Sequence, residues 1–599
     1  MYEVFFEVEL EIRGPVLSQS AVAGGFGLDA VMNKCASTDE YRLPSSHIRG
    51  QLKHALRDLL DTAGEENGIG LDEDLLKRLF GLPSGSMNGK YEQSAAPQRR
   101  ELSVSDFTAK GQQDGTLTRI AMDNDLGAAK KGALIVIEAP FKPGSKVRFK
   151  GTINYLAMDE TEEKQIEKSV RAGFGWLTGV GAYKTVGFGD VARVNIKRKE
   201  EQKSNYAVNV VVVETIPEVF QIEIHPDMPF CVTGRQGTSN MFESMENIPG
   251  GVIKGALAEH WARGSGHMTG GIKEGVDSAR PELCREFHKV RFTHAFMVGN
   301  SESKRPVVPP LSLAVGKSDQ IMDMADEAVD GRGFIFSPDW KSATRSNIHK
   351  MYGWAEPEYE LQVRTQINAD TGAADEGNLF SYKSVSIDGY KWLGSVDLSR
   401  VDGAIRQKVA AQLRSLLAGG IRGFGKTKAN ARINCGATPH EHSLKSTIVD
   451  YGGVWKVTLQ TPTLICNWSG LSESSGYEEL KAAYANAWSE LSGYSLVLND
   501  YFARQNLYGG YYIWKKFMGG NGYRPYLLTE PGSVFILKAA DEQKAKAKEK
   551  LEGWLMYGLE SPKWAKGLGL DSWEKCPYIP ENGYGEIAVN LTHKDIKHA

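Results

Sequence analysis

Residues that could do chemistry fall at three kinds of place. One is a carboxylate closing a glycine run, Gly24-Gly25-Phe26-Gly27-Leu28-Asp29, fifteen residues before Pro44. Such a carboxylate can hold a divalent ion or assist in-line attack by a ribose 2′-OH on its own phosphate. An Asp there can equally just close a glycine turn. Another is a proline, a small pair and then a helix, in Leu43-Pro44-Ser45-Ser46-His47-Ile48-Arg49-Gly50-Gln51-Leu52. The unpaired amides of a helix start, with Ser45, Ser46 and the cations Arg49 and Lys53, suit a phosphate; a plain serine cap with solvent-facing cations is the competing reading. The last is a pair of glycine loops, Gly187-Phe188-Gly189 and Gly423-Phe424-Gly425, with Lys184 before the first and Arg422, Lys426 and Lys428 flanking the second. Glycine lets a backbone approach a ligand closely, and Phe188, Phe424 and Tyr584 offer rings to stack on bases. Tight turns and core packing would use the same residues.

Other groups carry less. Asp39, Glu40, Asp106 and Asp123 could supplement Asp29 but fit solvated acids. His47 and His54 could suggest a nuclease with a histidine base, yet their spacing of seven suits one helix face. His440-Glu441-His442 has no further ligands at metal-binding spacing. The glycines do not form GxGxxG, and no GxxxxGK[ST] occurs, which disfavours a nucleotide-binding loop.

The elements that must position these residues are repeated. Leu43 to Leu52 aligns with Ile248-Pro249-Gly250-Gly251-Val252-Ile253-Lys254-Gly255-Ala256-Leu257 at an offset of 205, so Lys254 repeats the cation of Arg49. Arg119 to Leu134 aligns without a gap with Arg364 to Leu379, keeping Arg, Asp, Gly, Ala, Ala, Gly and Leu in register. Two related modules follow from this, each running strand, helix, strand-rich middle, helix, glycine loop, strand. Val4, Phe6, Val8, Leu10 and Ile12 alternate with glutamates, which predicts a first strand with one buried face. Ile48, Leu52, Ala55, Leu56 and Leu59 give the following helix an apolar stripe. At 599 residues the chain should hold about three to five folding units. The expected divisions are a first domain over 1–200, a linker or hairpin tip over 201–218, a second domain over 219–450, and a diverged third copy over 451–599. Asn582-Gly583-Tyr584-Gly585 repeats the glycine-aromatic pattern there, and Ala539 to Leu555 should be an exposed helix.

Lysine and arginine number 71 against 74 acids, so a polyanion would have to be met by a local basic surface. Six scattered cysteines without a CxxC pair predict no disulfide framework and no zinc ribbon. The absence of a leader pattern and of a long apolar stretch predicts a cytoplasmic protein without a membrane span.

LPSSHIRG and IPGGVIKG resemble the proline-serine-serine-leucine-lysine-glycine helix start of the RAMP superfamily, which builds type III CRISPR ribonucleoproteins. GFG and GYG resemble its glycine-rich loops. Residues 1 to about 200 look most like a Csm/Cmr backbone subunit, through Leu79-Phe80-Gly81, Val104-Ser105-Asp106 and Thr118-Arg119-Ile120. From about 219 onward the chain looks more like the large III-D RAMP subunit, through Val290 to Ala295, Pro309 to Leu313, Leu379-Phe380 and Gly532 to Phe535. The resemblance implies an α+β chain of tandem ferredoxin-like (RRM-like) RAMP domains with insertions. It also implies binding of CRISPR guide RNA and target RNA, and assembly with other effector subunits. Asp29 then corresponds to the catalytic aspartate of type III backbone subunits, with Mg2+ or Mn2+ as the implied metal and no structural cofactor. The second module has Gly234 at the matching distance before Pro249 and should bind without cutting. A wholly non-catalytic scaffold and a nuclease that processes precursor CRISPR RNA are the alternatives.

Overall fold

The alternation in the first strand becomes a buried row: Val4, Phe6, Val8, Leu10 and Ile12 are at most 2% exposed. In the computed structural model this strand, Tyr2–Arg13, pairs antiparallel with Lys146–Ala157 on one side and Asp190–Lys199 on the other. The structure describes residues 2–20, 27–35, 38, 40–64, 68–81, 101–112, 114–123, 125, 127–157, 159–199, 216–236, 240–267, 271–315, 321–326, 342–367, 374–449, 451–468, 471, 476–518, 522–593 and 595–597.

The first sheet is built by strand Tyr2–Arg13, helix Ser45–Ala63, strand Phe107–Ala109, strand Lys146–Ala157, helix Glu160–Gly175 and strand Asp190–Lys199. Numbered by appearance, these four of its six strands lie in the order 2-3-1-4. Ile48, Leu52, Ala55, Leu56 and Leu60 turn one face of the first helix into the core, where Ile166, Val170 and Phe174 of the second helix join them. The second sheet repeats the scheme with Val219–Pro226, helix Gly250–Gly264, Phe296–Gly299, Tyr390–Asp397, helix Arg406–Ala418 and Ala429–Cys435, again in the order 2-3-1-4. The third does so with Val454–Leu459, helix Tyr477–Leu491, Val497–Phe502, Val534–Lys538, helix Lys544–Tyr557 and Ile587–Val589. Each sheet has its own apolar core. The chain is thus α+β.

Between its second and third strands every sheet sends out a hairpin. The first pairs Thr116–Asp123 with Ala128–Glu138, the second uses Tyr359–Ile367 and Ala374–Val385, and the third pairs Gln505–Tyr508 with Tyr526–Thr529. The duplicated segment Arg119 to Leu134 is the first of these hairpins. Its counterpart from Arg364 lies on the second, although residues 368–373 are outside the described ones.

By compactness the chain divides differently from the sequence expectation. One unit comprises 1–207 together with 360–384, and the other comprises 208–359 with 385–599. Residues 219–450 therefore do not stand as one separate block: the second hairpin belongs with the first unit, and the second and third sheets share the other. Most of the expected linker, 201–215, is outside the described residues. No described helix is long and apolar enough to cross a membrane.

Within the second unit a buried ionic network joins elements of two sheets. Arg305 donates through both terminal nitrogens to Glu586, at 2.5 and 2.9 Å, and also to the His294 carbonyl at 2.9 Å. Burial would raise the Glu586 carboxyl, but Arg305, His442 and Arg291 overcome it and hold the group down at about 2. Burial pushes His294 to about 3 and His442 to about 4. His47 and His260 are likewise pushed down by burial, to about 4 and about 3. Folded-state values below the unfolded ones mean the unfolded chain binds more protons, so stability falls as pH falls. The histidine contributions should be lost from pH 6.5 downward and the Glu586 contribution from about 4.5 toward 2. Thermal unfolding of Glu586→Gln should show a loss of roughly 3 to 5 kcal/mol near neutral pH, as one partner of a buried pair is removed. Its acid sensitivity below pH 4.5 should be shallower than that of the wild type.

Candidate nucleic-acid interface

At the C-terminal end of the first strand the chain crosses back over itself. Ala182 donates its amide to the Leu17 carbonyl at 2.8 Å, and Gly189 to that of Pro15 at 2.7 Å. A Cβ on Gly189 would lie 1.8 Å from the Val180 carbonyl oxygen, so only glycine fits. In the second unit Lys426 donates its amide to the Cys231 carbonyl at 2.7 Å, and a Cβ on Gly425 would meet that oxygen at 2.7 Å. The close approach that these glycines permit is thus to the chain's own backbone. Gly187, at φ +89°, has open space where a Cβ would be and remains the loop's accessible point.

The aromatic rings of these loops are not available for stacking. Phe188 is 7% and Phe424 is 1% exposed, packed against Tyr183 and Phe230 respectively. Tyr584 packs edge-on against His294 and Tyr578. All three serve the core, which corrects the stacking role expected from sequence.

The first helix starts beside the first glycine loop. Lys184 Nζ donates to Gln51 at 3.0 Å, and the Gly181 amide donates to His47 Nε2 at 2.8 Å. That bond and the burial lowering its pKa make His47 a neutral structural acceptor, which removes the basis for a nuclease using it as a base. Pro44 caps the helix at φ −59° and ψ 142°, and Pro249 caps the second-sheet helix at φ −58° and ψ 142°. The first amide of each helix is already occupied. Ser45 donates to Asp106 Oδ1 at 2.6 Å, and Gly250 donates to His294 Nδ1 at 3.3 Å. Ser45 is buried, so the phosphate-binding role expected of its amide is taken by an internal carboxylate; Ser46 is half-buried. From Arg49, cations recur every four residues at Lys53 and Arg57, giving one basic stripe down the helix. Partial burial and the Arg57 and Arg49 charges lower the Lys53 pKa.

Lys254 does not repeat the half-buried, partly accessible cation of Arg49. It is 7% exposed, donates to the carbonyls of His288 and Val290 at 3.1 and 2.7 Å, and is pushed down to about 7 by burial. The helix around it is apolar on several sides, which the alignment of one cation with another concealed. Arg422 is half-buried, the Gly423 amide donates to Asn430 at 3.2 Å, and Lys426 lies 4.0 Å over the Phe242 ring.

Asp29 is exposed at the base of the first hairpin. Its carboxylate accepts from the Val136 amide at 2.7 Å and its own amide donates to the Val136 carbonyl at 2.9 Å. On the same hairpin Arg119 lies 4.7 Å over the ring of Tyr183, next to Lys184. Asp29, the hairpin base, the glycine loop and the basic helix thereby share one end of the unit. Among the described residues no three His, Cys, Asp or Glu come together to hold a metal ion. Asp29 alone does not fit a protein-held metal. Glu40 is described, whereas Asp39 lies outside the described residues, and Asp123 receives the Asp125 amide in the hairpin turn. In the second unit Gly234 sits in strand Thr233–Gln236 with no carboxylate to match Asp29.

The outer face of the first sheet is unlike an RNA-stacking platform. Glu9 and Glu11 of the first strand pair with Lys146, Arg148 and Lys150, and Glu7 pairs with Lys199. Phe5, half-buried between Asn154 and Lys199, lies on the same face, which paired charges otherwise fill.

The RAMP superfamily model matches residues 33–192, the span holding the basic helix, the first hairpin and the first glycine loop. Over this segment the chain is similar to the RAMP superfamily. No curated protein matches the chain. One similar solved structure is a Type III-B Cmr-beta complex bound to cognate target RNA and AMPPnP, with 12% identity over 53% of this chain and 86% of that one and a TM-score of 0.29. Another, of Cmr-beta bound to cognate target RNA, shows 14% identity over 33% of this chain and 61% of that one, with a TM-score of 0.23. Sequence reasoning missed the ion pair that seats the second hairpin in the RAMP-containing unit. Arg42 Nη1 lies 2.7 Å from Glu360 and 3.4 Å from Asp106, the carboxylate that caps the basic helix. Both Arg42 and Glu360 are buried. Asp106→Asn should weaken that cap by about 1 kcal/mol, and Glu360→Gln should loosen the same corner. Hydrogen exchange should accelerate at Ser45 to Ile48 in both variants and stay unchanged in helix Arg406–Ala418.

Proposed function

We propose that this chain is a guide-RNA-binding subunit of a type III CRISPR ribonucleoprotein, made of three tandem ferredoxin-like RAMP folds with hairpin insertions. The observation that carries the reading is the threefold recurrence of one strand order, with a helix after the first strand and a glycine loop before the last, in a chain whose first copy matches the RAMP model. The βαββαβ order of the named elements in each sheet supports the ferredoxin-like reading. Guide RNA runs along the Arg49, Lys53 and Arg57 stripe and past Lys184 and Gly187, its phosphates meeting the cations where Gly187 leaves room for a close approach. Target RNA pairs with the guide beside the first hairpin.

Cleavage of the target falls to Asp29. Its carboxylate, held by Val136 at the hairpin base, accepts the proton of a target 2′-OH as that oxygen attacks the adjacent phosphorus in line; the bond to the 5′-oxygen breaks, leaving a 2′,3′-cyclic phosphate and a 5′-hydroxyl protonated from water. Mg2+ or Mn2+ would have to arrive on RNA phosphates, since the described side chains offer it one carboxylate. The second unit, lacking that carboxylate, spaces the RNA without cutting it.

Native protein should copurify with RNA of defined length carrying repeat-derived sequence. Affinity for that RNA should fall steeply with salt as counterions are released. Asp29→Ala should assemble and bind target normally while losing at least one cleavage position. A flat salt response would remove the basic stripe from the account, and unchanged cleavage in Asp29→Ala would leave the chain a scaffold.

A further inference from the structure

The three hairpins occupy equivalent places in their sheets and differ in chemistry. The first, 116–138, contains no aromatic residue and exposes Ile120, Met122 and Leu134, each more than half accessible. The third, 505–529, has seven aromatic residues, three cations and no acid in twenty-five residues, within a chain of net charge −3. Composition this skewed marks a surface for a polyanion with flat rings.

Its base is rigid. Gln505 donates to the Tyr484 hydroxyl at 2.9 Å, Asn506 donates to Glu530 at 3.0 Å, and Tyr526 donates to the Lys575 carbonyl at 2.9 Å. Tyr508 and Tyr526 both pack edge-on against Tyr578. Its tip replaces a turn with helix Tyr511–Met518. There Tyr512 is 43% and Tyr523 is 54% exposed. Lys516 donates to the Tyr512 hydroxyl at 3.0 Å and lies 5.4 Å from its ring centroid, while the Tyr523 hydroxyl accepts the Gly510 amide at 3.1 Å. Lys516 and Arg524 are exposed beside them. Both rings are held by their hydroxyls with substantial area left to solvent, so little ordering cost remains when a base stacks on them.

We propose that the tip of the third hairpin is a second RNA-binding site, which takes unpaired bases of single-stranded RNA on Tyr512 and Tyr523 and its phosphates on Lys516 and Arg524. This rests on the reading of the chain as an RNA-binding subunit and assigns RNA contact to a region outside the matched RAMP segment. Stacking tolerates any base, so the site is expected to be indifferent to sequence.

The test is fluorescence anisotropy of full-length protein with a labelled single-stranded RNA of mixed sequence at several salt concentrations. Tyr512→Ala should weaken binding roughly tenfold with an unchanged salt slope, Tyr512→Phe, which keeps the ring but loses its hold by Lys516, should weaken it by no more than about threefold, and Lys516→Ala should lower the slope by about one. If wild type binds and Tyr512→Ala stays within twofold of it, this site is refuted while the main interface stands. If Tyr512→Phe weakens binding as much as Tyr512→Ala, stacking is refuted. If wild-type protein does not bind at all, the functional reading itself fails.

Discussion

The close backbone crossing between the segment leaving the first strand and the glycine loop entering the last strand constrains everything else. A first strand paired on both sides forces those two segments to meet at one end of the sheet. The contact recurs as Ala182 on Leu17, Lys426 on Cys231, and Gln460 on Glu586, each an amide donating to a carbonyl at 2.7 to 2.8 Å. In the first two copies glycine is required there, because a Cβ on Gly181 or Gly425 would intrude on the Leu17 or Cys231 carbonyl. The crossing in turn holds the basic helix beside the loop in the first unit, through the Gly181 amide on His47 and Lys184 on Gln51.

Three copies of this frame have diverged in what they leave exposed. In the first, a carboxylate caps the helix and cations line its outer face. In the second, the aligned cation has turned inward, and Lys254 is kept by carbonyls and burial instead of solvent. In the third, the loop carries Glu586, whose pairing with Arg305 locks it to a neighbouring segment of the same unit. The same scaffold thus supports an open polar end in one copy and closed ends in the others.

What was legible in the sequence was periodic or local. Alternation placed the first strand, helical spacing placed Ser45–Ala63, and Ala539 to Leu555 contains most of the observed helix Lys544–Tyr557. Duplicated spacing pointed to repeated architecture, because strand order follows from the order of elements. What was not legible depends on partners distant in the chain. Nothing near Ser45 shows that Asp106 takes its amide. The ion pair of Arg42 with Glu360 joins residues more than three hundred positions apart, and no local pattern encodes it. The aromatic composition of the third hairpin acquires meaning only once the topology shows it to be the counterpart of the other two.

Ultraviolet crosslinking of the native ribonucleoprotein, read by mass spectrometry of the peptides attached to RNA, tests the central claim most directly. Crosslinks should fall on peptides from Ser45–Ala63, from 183–189 and from the first hairpin, and should spare the charge ladder of Lys146, Arg148 and Lys150. Crosslinks confined to that ladder, or none in the first unit, would contradict the account.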